Sequence, residues 1–555
     1  SFITGGSERF NMPEVKTLID PLESDFDSVH RQFACSIPET FNMAHWVCDR
    51  HADGTSRMAL WCESERGDTS SYTFDDLQRS SNQLAHALLG LGVTRGDRIA
   101  ILLPQRVETG LAHLAAWKIG AMSLPLSILF GVDALKFRLM DSGARVVITT
   151  AAATEQLAEL KRDLPDLEFV IDCDDLTNGF WSLLDKASDQ LNPVDTLADD
   201  PALVIYTSGT TGPPKGAVLA HRCLLGNLPG FELSQNFFPQ MDDVMWTPAD
   251  WAWTGGLLDG LIPAWFYGQP VVGYEGRFDP EKACALMTRY RVRTAFIPPT
   301  ALKMLRQAPE RVLQQVNLRS VMSAGESLGA HIFEWARDAL RVEVNEMWGQ
   351  TEFNYLVGNC SAIMAVKPGA MGKAYPGHRV EPVDEHGQVL PTGQVGELCA
   401  YRDDPVMFLG YWRREQATRD KFIGPWWSTG DLGYRDEDGY LWFMGRKDDV
   451  ISSAGHRIGP GEIEDSMLKH PAVLQAAAIG IPDDLRGEII KAFIVLAPGE
   501  APSEALKKDI QDRVRRERAA YEYPREIEFI DELPMTTTGK IRRIELRERE
   551  RNKTG

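Results

Sequence analysis

The feature that most constrains this sequence is an apolar run followed directly by a glycine-rich loop, from Ala202 to Gly216 (ALVIYTSGTTGPPKG). The branched and aromatic residues of ALVIY predict a short buried strand. In the loop, glycines let the backbone approach an anion, hydroxyl and amide groups donate to its oxygens, and Lys215 offsets its charge. The stretch therefore predicts a phosphate-binding loop. A flexible Ser/Gly linker is the alternative, although linkers seldom follow a strand so closely or end in Pro-Pro-Lys-Gly.

This loop differs from the Walker phosphate-binding loop. Counted from Gly209, the second glycine of G-x-x-x-x-G-K-[ST] would fall at position 214, which is Pro214. We therefore expect phosphate chemistry without the fold that accompanies the Walker motif.

Composition narrows the class of protein. The chain has 555 residues, of which 43% are hydrophobic and 25% charged, as in an ordinary enzyme of several domains. The net charge of −20 argues against general affinity for nucleic acid or anionic membranes. The eight cysteines show no CxxC spacing, which predicts reduced thiols rather than a metal cluster.

We find no targeting signal or membrane span in the sequence. The first residues lack an apolar core and are too acidic for a transit peptide. The most apolar long window, Leu257 to Tyr274, is interrupted by Asp259 and two prolines. These features predict a cytosolic protein. The sequence shows no coiled-coil heptad and no large apolar stripe, so it predicts no particular oligomeric state.

Strands alternate with helices through most of the chain, which predicts an α/β fold with two mostly parallel sheets. The predicted strands and helices occupy residues 98–104, 107–119, 144–150, 270–274, 280–290, 294–299 and 320–326. After about Met371 the segments become short and turn-rich, which predicts a small β subdomain. Past Lys447, two apolar strands and a helix from Ser503 to Arg518 predict a smaller α+β domain. The predicted domains are therefore residues 1–447 and 448–555.

Four further stretches carry polar residues suited to nucleotide chemistry. They are SAGES (residues 323–327), MWGQTEF (347–353), WWSTGDLGY (426–434) and PMTTTGKIRR (534–543). Small residues at a strand end suit a flat ring such as adenine, Glu352 can hold Mg²⁺, and the Asp431 carboxylate can bind a ribose diol. Each stretch also has an ordinary structural explanation: a buried strand end, an exposed turn, a capping aspartate and, for Lys540, a surface lysine.

Taken together, these stretches resemble the adenylate-forming superfamily, which includes acyl-CoA synthetases, luciferases and adenylation domains of peptide synthetases. The motifs TSGTTGPPKG, GQTE, STGD, GRKDD, GHRIG and TTTGK occur in the family's order, and the resemblance covers the chain from about Ile37 onward. The sequence looks most similar to AMP-forming medium-chain acyl-CoA synthetases. The resemblance implies a large N-terminal domain that binds ATP and the acyl group, and a mobile C-terminal domain.

The resemblance implies two steps with ATP, Mg²⁺ and coenzyme A. A carboxylic acid and ATP give an acyl-adenylate and pyrophosphate, and coenzyme A then displaces AMP to give a thioester. In the family these roles fall on matching positions of this chain. The residues expected to bind ATP or AMP are Thr207, Ser208, Gly209, Thr210, Thr211, Gly212, Gly325, Glu326, Ser327, Trp348, Gln350, Asp431, Arg446 and Arg457. The expected catalytic residues are Lys540, Thr351, Glu352 (which also holds the metal) and Lys215.

Domain rotation between the two steps is a further implication of the resemblance. The family's hinge position corresponds to Asp448, for which a solvated turn is the ordinary alternative. After rotation, Gly455 and His456 are expected to bind coenzyme A, and Arg457 to meet the AMP phosphate. Basic residues on the helix from Ser503 to Arg518 could meet the 3′-phosphate of coenzyme A or form only a solvated face.

The acyl pocket is predicted from two positions. In acetyl-specific members a tryptophan directly before Q-T-E closes the pocket, whereas this chain has Gly349. Each methylene that the extra space buries stabilises binding by about 0.8 kcal/mol. Trp253 aligns with another pocket segment, while Trp251 suits either the pocket or the core. We therefore expect a medium-chain, branched or aromatic monocarboxylic acid.

Two rival functions stay open at this point. A ligase could deliver the acyl group to a carrier-protein phosphopantetheine instead of free coenzyme A. A non-catalytic nucleotide sensor would bind ATP without exchanging pyrophosphate, but mere binding would not require Lys540.

Overall fold

A computed structural model describes residues 17–554 apart from 21, 23, 208–212, 520 and 538. The strands of the first two thirds of the chain are β1 (Met58–Ser64), β2 (Thr69–Thr73), β3 (Arg98–Leu102), β4 (Met122–Pro125), β5 (Val146–Thr149), β6 (Phe169–Asp172), β7 (Pro201–Thr207), β8 (Lys215–Ala220), β9 (Met245–Trp246), β10 (Val271–Glu275), β11 (Thr294–Phe296), β12 (Ser320–Ser323), β13 (Asn345–Trp348), β14 (Val357–Gly358) and β15 (Lys373–Ala374). The later strands are β16 (Val380–Val383), β17 (Gly396–Tyr401), β18 (Gly410–Tyr411), β19 (Phe422–Ile423), β20 (Trp426–Arg435), β21 (Leu441–Arg446), β22 (Ile451–Ser453), β23 (His456–Ile458), β24 (Val473–Asp483), β25 (Gly487–Leu496) and β26 (Glu526–Phe529).

Helices cover both parts of the chain. They are α1 (Phe26–Gln32), α2 (Met43–Val47), α3 (Phe74–Gly90), α4 (Val107–Lys118), α5 (Val132–Ser142), α6 (Ala151–Leu160), α7 (Phe180–Asp185), α8 (Cys223–Ser234), α9 (Thr254–Gly256), α10 (Ile262–Phe266), α11 (Pro280–Arg289), α12 (Pro299–Leu305), α13 (Glu310–Leu313), α14 (Ala330–Ala339), α15 (Glu415–Arg419), α16 (Pro460–Leu468), α17 (Glu504–Glu517) and α18 (Arg543–Thr554). Short 3₁₀ turns cover Asp49–His51 and Lys161–Asp163, and a π-helix covers Leu257–Leu261.

Two mostly parallel sheets form the large N-terminal domain, which confirms the predicted fold class. One sheet has the order β18-β8-β7-β4-β3-β5-β6, and its central pairs from β7 to β6 are parallel. The other has the order β15-β14-β13-β12-β11-β9-β10-β1-β2, with parallel pairs from β1 to β13. Antiparallel strands occupy only the edges, so each apolar strand is buried between helices.

Local sequence signals explain the ends of these elements. Thr73 begins α3 with a capping box, because its hydroxyl accepts from Asp76 N while the Asp76 carboxylate accepts from Thr73 N. Three apolar side chains at helical spacing, Phe74, Leu77 and Leu84, are fully buried on the face that packs into the core. The apolar run at Ala202 forms β7 as predicted, with its central residues buried.

The later strands form two smaller sheets. Strands β16, β17, β19, β20 and β21 make an antiparallel sheet, and their hairpins match the predicted β subdomain. Strands β22 to β26 make a fourth sheet that is packed by α16 and α18, and α17 packs against α16. Two apolar clusters of this unit draw only on residues from Ile451 to Leu546, so the smaller C-terminal domain has its own core. The boundary at Asp448 stays a prediction.

The fold brings two predicted motifs, together with Thr300, to one sheet edge. Strands β11, β12 and β13 are parallel neighbours, so their carboxyl ends lie side by side. The residues that follow these ends are Thr300, Gly325–Ser327 and Gly349–Glu352. Loops at the carboxyl ends of parallel strands are where α/β proteins place ligand sites.

Candidate active site

The predicted phosphate loop connects two antiparallel strands. Thr207 at the end of β7 pairs with Lys215 at the start of β8, and the Thr207 hydroxyl donates to the Lys215 carbonyl oxygen at 3.4 Å. The predicted binding residues Ser208, Gly209, Thr210, Thr211 and Gly212 lie outside the described residues. The elements on either side of the loop are two antiparallel strands, whereas a strand and a helix flank the Walker loop.

Tyr411 connects this hairpin to the GQTE motif. It pairs with Ala217 across β18 and β8, and its hydroxyl donates to Glu352 Oε1 at 2.6 Å. The Lys215 Nζ lies 5.9 Å from the Tyr411 ring centre. Burial raises the pKa of Tyr411, and the adjacent Glu352 carboxylate raises it further. Sequence reasoning missed Tyr411, since no motif marks GYW at residues 410–412.

Glu352 suits the metal role expected of it. Its side chain is largely buried, and Tyr411 holds one of its two carboxylate oxygens. No group of three or more His, Cys, Asp or Glu residues that could hold a metal occurs in the described chain. A single carboxylate nevertheless fits Mg²⁺, which proteins usually bind through one or two carboxylates together with substrate phosphates. Thr351 lies beside it, with its hydroxyl 3.2 Å from that of Thr254.

A buried carboxylate, Asp431, is the centre of the predicted ribose site. It lies in β20 opposite Arg446 of β21, whose Nη1 is 3.4 Å from Asp431 Oδ1. The Trp348 indole N–H donates to Asp431 Oδ2 at 2.8 Å. Burial raises the pKa of Asp431, while Arg446 and Trp348 oppose the rise. Within the described residues, Oδ1 is buried and receives no hydrogen bond, so it remains available to a donor such as a ribose hydroxyl.

Lys540 lies at the same site, although it comes from the C-terminal domain. A Cβ placed on Gly325 would lie 3.7 Å from Lys540 Cε. Lys540 keeps access to solvent, yet the surrounding protein lowers its pKa by desolvation, and the nearby Glu326 carboxylate opposes that shift. The Arg446 cation lowers the pKa further. The structure thus places the Gly-Lys turn against the predicted adenine shelf.

Two neighbours of the shelf help to fix its strands. Gln350 donates from Nε2 to the Thr429 carbonyl oxygen at 2.6 Å, which ties the GQTE loop to β20. Glu346 in β13 is buried and accepts from Leu328 N at 3.3 Å, and burial raises its pKa to about 8. Sequence reasoning missed Glu346, because it precedes the motif and nothing in the sequence marks its strand as buried.

The predicted acyl-pocket residues flank this cluster. Trp253 precedes α9 and makes an edge-to-face contact with Phe130 at 5.7 Å. Trp251 is fully buried, which favours its core role. The backbone explains why position 349 is a glycine, because a Cβ there would lie 2.9 Å from Tyr355 N.

The residues expected to act after domain rotation lie on one hairpin of the C-terminal domain. Gly455, His456 and Arg457 form the exposed end of the β22–β23 hairpin. The His456 ring stacks on Tyr521 of the same domain at 3.9 Å. Asp448 lies exposed in the turn between β21 and β22.

Known proteins resemble this chain over nearly its whole length. Residues 48–412 match the family described as AMP-binding enzyme, and residues 462–540 match its C-terminal domain. The chain belongs to the AMP-binding enzyme family. The mitochondrial acyl-coenzyme A synthetase ACSM3 of Rattus norvegicus is 33% identical, with 97% of this chain and 95% of the relative covered. The acetyl-coenzyme A synthetase of Bacillus subtilis (strain 168) is 35% identical, with 92% and 91% covered.

A solved structure supports the same assignment of this AMP-binding enzyme. The anthranilate CoA ligase AuaEII in complex with anthranoyl-AMP superposes with a TM-score of 0.84 at 29% identity, covering 92% of this chain and 98% of that one. The predicted resemblance is therefore confirmed, and the protein is an acid–thiol ligase of the AMP-forming acyl-CoA synthetase family, which uses ATP, coenzyme A and Mg²⁺.

The relatives do not decide where this AMP-binding enzyme resides. The name of the rat relative includes a mitochondrial location, whereas that of the Bacillus relative does not. Among the described residues, no helix has the length and apolarity needed to cross a membrane. The predicted cytosolic location stays a prediction.

Proposed function

We propose that this protein joins a medium-chain, branched or aromatic monocarboxylic acid to coenzyme A, with ATP cleaved to AMP and pyrophosphate. The supporting observation is that Lys540 of the C-terminal domain lies beside Gly325 in the cluster that also contains Asp431 and Arg446. A nucleotide-binding protein without chemistry has no need for a second domain to deliver a lysine there.

In the first step a carboxylate oxygen attacks the α-phosphorus of ATP, and the bond to pyrophosphate breaks. The difficulty is that two anions must meet, so positive charge has to lie where negative charge accumulates. Lys540 is proposed to bridge the carboxylate and the α-phosphate, and Lys215 to bind the outgoing phosphates with Thr207 and the loop 208–212. Mg²⁺, held through Glu352, would neutralise phosphate charge.

The nucleotide is proposed to lie across the carboxyl ends of β12 and β13. Gly325, Glu326 and Ser327 then form the shelf for adenine, with Trp348 and Gln350 beside it. Asp431 Oδ1 suits a ribose hydroxyl, because it is buried and receives no hydrogen bond, with only the ion pair to Arg446 at 3.4 Å beside it. Arg446 balances that carboxylate, and Thr351 is proposed to donate to the α-phosphate.

In the second step the sulfur of coenzyme A attacks the acyl carbonyl carbon, the thiol proton is released and AMP leaves. The C-terminal domain is proposed to turn about Asp448, which brings Gly455, His456 and Arg457 into the site. Exposure of their hairpin supports this, since it is free to meet a ligand after rotation. On α17, Lys507 pairs with Glu504 at 2.8 Å, which favours a solvated face for that helix.

The acid class rests on the sequence prediction at Trp253 and Gly349, where this chain lacks the tryptophan of acetyl-specific members. The anthranoyl-AMP bound to the similar anthranilate ligase supports an aromatic acid, whereas the similar Bacillus enzyme is named for acetate. We retain the larger acid because no indole closes the pocket at position 349, where the backbone of residues 353–355 leaves no room for a side chain. Delivery to a carrier-protein phosphopantetheine is the second candidate function.

Carboxylate-dependent ATP–pyrophosphate exchange tests this proposal. We would measure exchange with acids from acetate to decanoate, with benzoate, anthranilate and branched acids, and then add coenzyme A or a holo-carrier protein. Exchange that peaks beyond acetate, with thioester formed on free coenzyme A, supports the proposal. Exchange that is best with acetate contradicts the acid class, and thioester formed only on the carrier contradicts the acceptor. ATP binding without exchange for any acid supports a sensor.

A further inference from the structure

Hydrogen bonds join Thr536 to Gly539 and to Lys540, so a contact with one of these residues helps to fix the lysine as well. Thr536 N donates to the Lys540 carbonyl oxygen at 2.7 Å, and Lys540 N donates to Thr536 Oγ1 at 3.0 Å. Gly539 N donates to the Thr536 carbonyl oxygen at 3.0 Å. Whatever holds the Gly539 backbone in place therefore also holds the start of the Lys540 side chain.

Thr300 of the N-terminal domain contacts that turn. It lies in the first turn of α12, and its hydroxyl oxygen is 3.1 Å from the Gly539 carbonyl oxygen and 2.6 Å from Glu326 Oε1. A hydroxyl has one proton to donate, so the two acceptors share it. A Cβ on Gly539 would lie only 3.5 Å from Thr300 Oγ1. Thr300 thus connects the predicted adenine shelf with the loop that delivers Lys540.

Asp465 makes a second contact between the domains. It lies on α16 of the C-terminal domain, and its Oδ1 accepts from His331 N at 3.4 Å in the first turn of α14. The residue before α14 is Gly329, which has no side chain to cap the helix, and a Cβ there would collide with Asp465 Oδ1. Because Gly329 has no side chain, the Asp465 carboxylate of the other domain can act as the N-cap of α14. An aspartate there satisfies a free N–H and complements the helix dipole.

Both contacts lie next to one short segment of the N-terminal domain, residues 326–331. Thr300 binds Glu326, and Asp465 caps the helix that begins four residues later, at Ala330. This segment begins in the predicted adenine shelf, which consists of Gly325, Glu326 and Ser327. Any rotation that moves Lys540 away from Gly325 must break both contacts.

We propose that Thr300 and Asp465 are positioning residues that hold the Lys540 turn over the nucleotide for acyl-adenylate formation and release it for thioester formation. This inference rests on the proposed function and adds to it the residues that fix the first orientation. Neither residue has to touch a substrate, since both act through Lys540. Loss of either contact should slow the first half-reaction and spare the second.

The test compares the two half-reactions of the full-length protein. Pyrophosphate exchange with the preferred acid reports adenylate formation, and the thioester formed from a supplied acyl-adenylate and coenzyme A reports the second step. We expect Thr300→Val and Asp465→Ala to lower exchange by roughly two- to thirtyfold, the factor that the loss of a capping or hydroxyl contact gives. The rate of the second half-reaction should stay unchanged or rise.

Conservative variants separate positioning from a general loss of folding. Thr300→Ser keeps the hydroxyl and Asp465→Asn keeps a good helix cap, so both should retain exchange within about twofold. Thr288→Val is the matched control, because that hydroxyl donates only within α11, to the Cys284 carbonyl oxygen at 2.8 Å.

The outcomes distinguish this inference from the proposed function. Wild-type protein without exchange or thioester formation overturns the proposed function and this inference with it. Two outcomes in an otherwise active wild-type protein overturn this inference alone. In one, Thr300→Val and Asp465→Ala slow both half-reactions equally. In the other, neither variant slows pyrophosphate exchange. A selective loss of exchange that the conservative variants rescue supports it.

Discussion

Replacing Tyr411 by phenylalanine removes a single oxygen atom beside the expected metal ligand. The ring should keep its place, since Phe408 contacts it edge to face at 5.0 Å and the β18–β8 pairing holds its backbone. What disappears is the hydroxyl that donates to Glu352 Oε1 at 2.6 Å. Glu352 then loses the partner that fixes the orientation of its carboxylate.

The size of the effect follows from the charge of that partner. A hydrogen bond to a charged group contributes about 1.5–3 kcal/mol, which corresponds to roughly 10- to 150-fold in an equilibrium constant. Loss of an outer partner of a metal ligand typically costs about 10- to 100-fold in metal affinity or activity. We therefore expect the Mg²⁺ concentration for half-maximal pyrophosphate exchange to rise at least about tenfold in Tyr411→Phe.

The assay is a Mg²⁺ titration of pyrophosphate exchange at saturating ATP and acid. Tyr290→Phe is the matched control, because it removes a similar tyrosine–glutamate bond, to Glu63 Oε2 at 2.9 Å, away from the site. An unchanged or lower Mg²⁺ requirement in Tyr411→Phe would refute the reasoning that Tyr411 orients a metal ligand. A fall in exchange at every Mg²⁺ concentration, with the same midpoint, would assign Tyr411 a role outside metal binding.

Three further predictions concern other parts of the protein. Lys540→Ala should reduce exchange by at least about a hundredfold, as expected for loss of a charge that stabilises a transition state, and should leave thioester formation from a supplied adenylate nearly intact; equal losses would contradict its assigned role. Trp348→Phe removes the 2.8 Å donor to Asp431 and should raise the KM for ATP about tenfold with little change in kcat, as steady-state kinetics will show. Burial raises the pKa of Glu232 from its ordinary value of 4.5 to about 8, so the folded protein binds the extra proton and loses stability as the pH rises from 4.5 towards 8. Between pH 6 and pH 8 the thermal unfolding midpoint of Glu232→Gln should therefore fall less than that of the wild-type protein. An equal fall in both proteins would contradict the raised pKa of Glu232.

The sequence predicted the strand–loop unit at Ala202 and the parallel sheets because periodicity and glycine placement are local signals. It also singled out motif residues that the structure brings together, such as Gly325, Asp431 and Lys540, and their nucleotide roles stay predictions. Tyr411 could not be predicted in this way. Its role depends on the pairing of β18 with β8, which joins positions about 190 residues apart in the chain.

Contacts between the domains were equally invisible in the sequence. In the sequence, Thr300 looks like an ordinary helix residue that follows two prolines. Asp465 looks like one of several acidic residues on α16. Their roles appear only when the two domains meet, because each completes a hydrogen bond that the other domain leaves open. Local patterns carry no information about such partners.

The acid preference shows how a sequence argument changes once the backbone is known. The missing indole at Gly349 predicts open space, but a Cβ there would also lie 3.0 Å from the Phe353 carbonyl oxygen and 3.2 Å from Asn354 Cα. Backbone atoms cannot turn aside as a flexible side chain can. The residues on either side are fixed as well, by the bonds of Trp348 to Asp431 and of Gln350 to Thr429. A tryptophan at this position therefore requires a different path for the whole turn up to Tyr355, and the shape of the predicted acyl pocket belongs to that turn rather than to a single side chain.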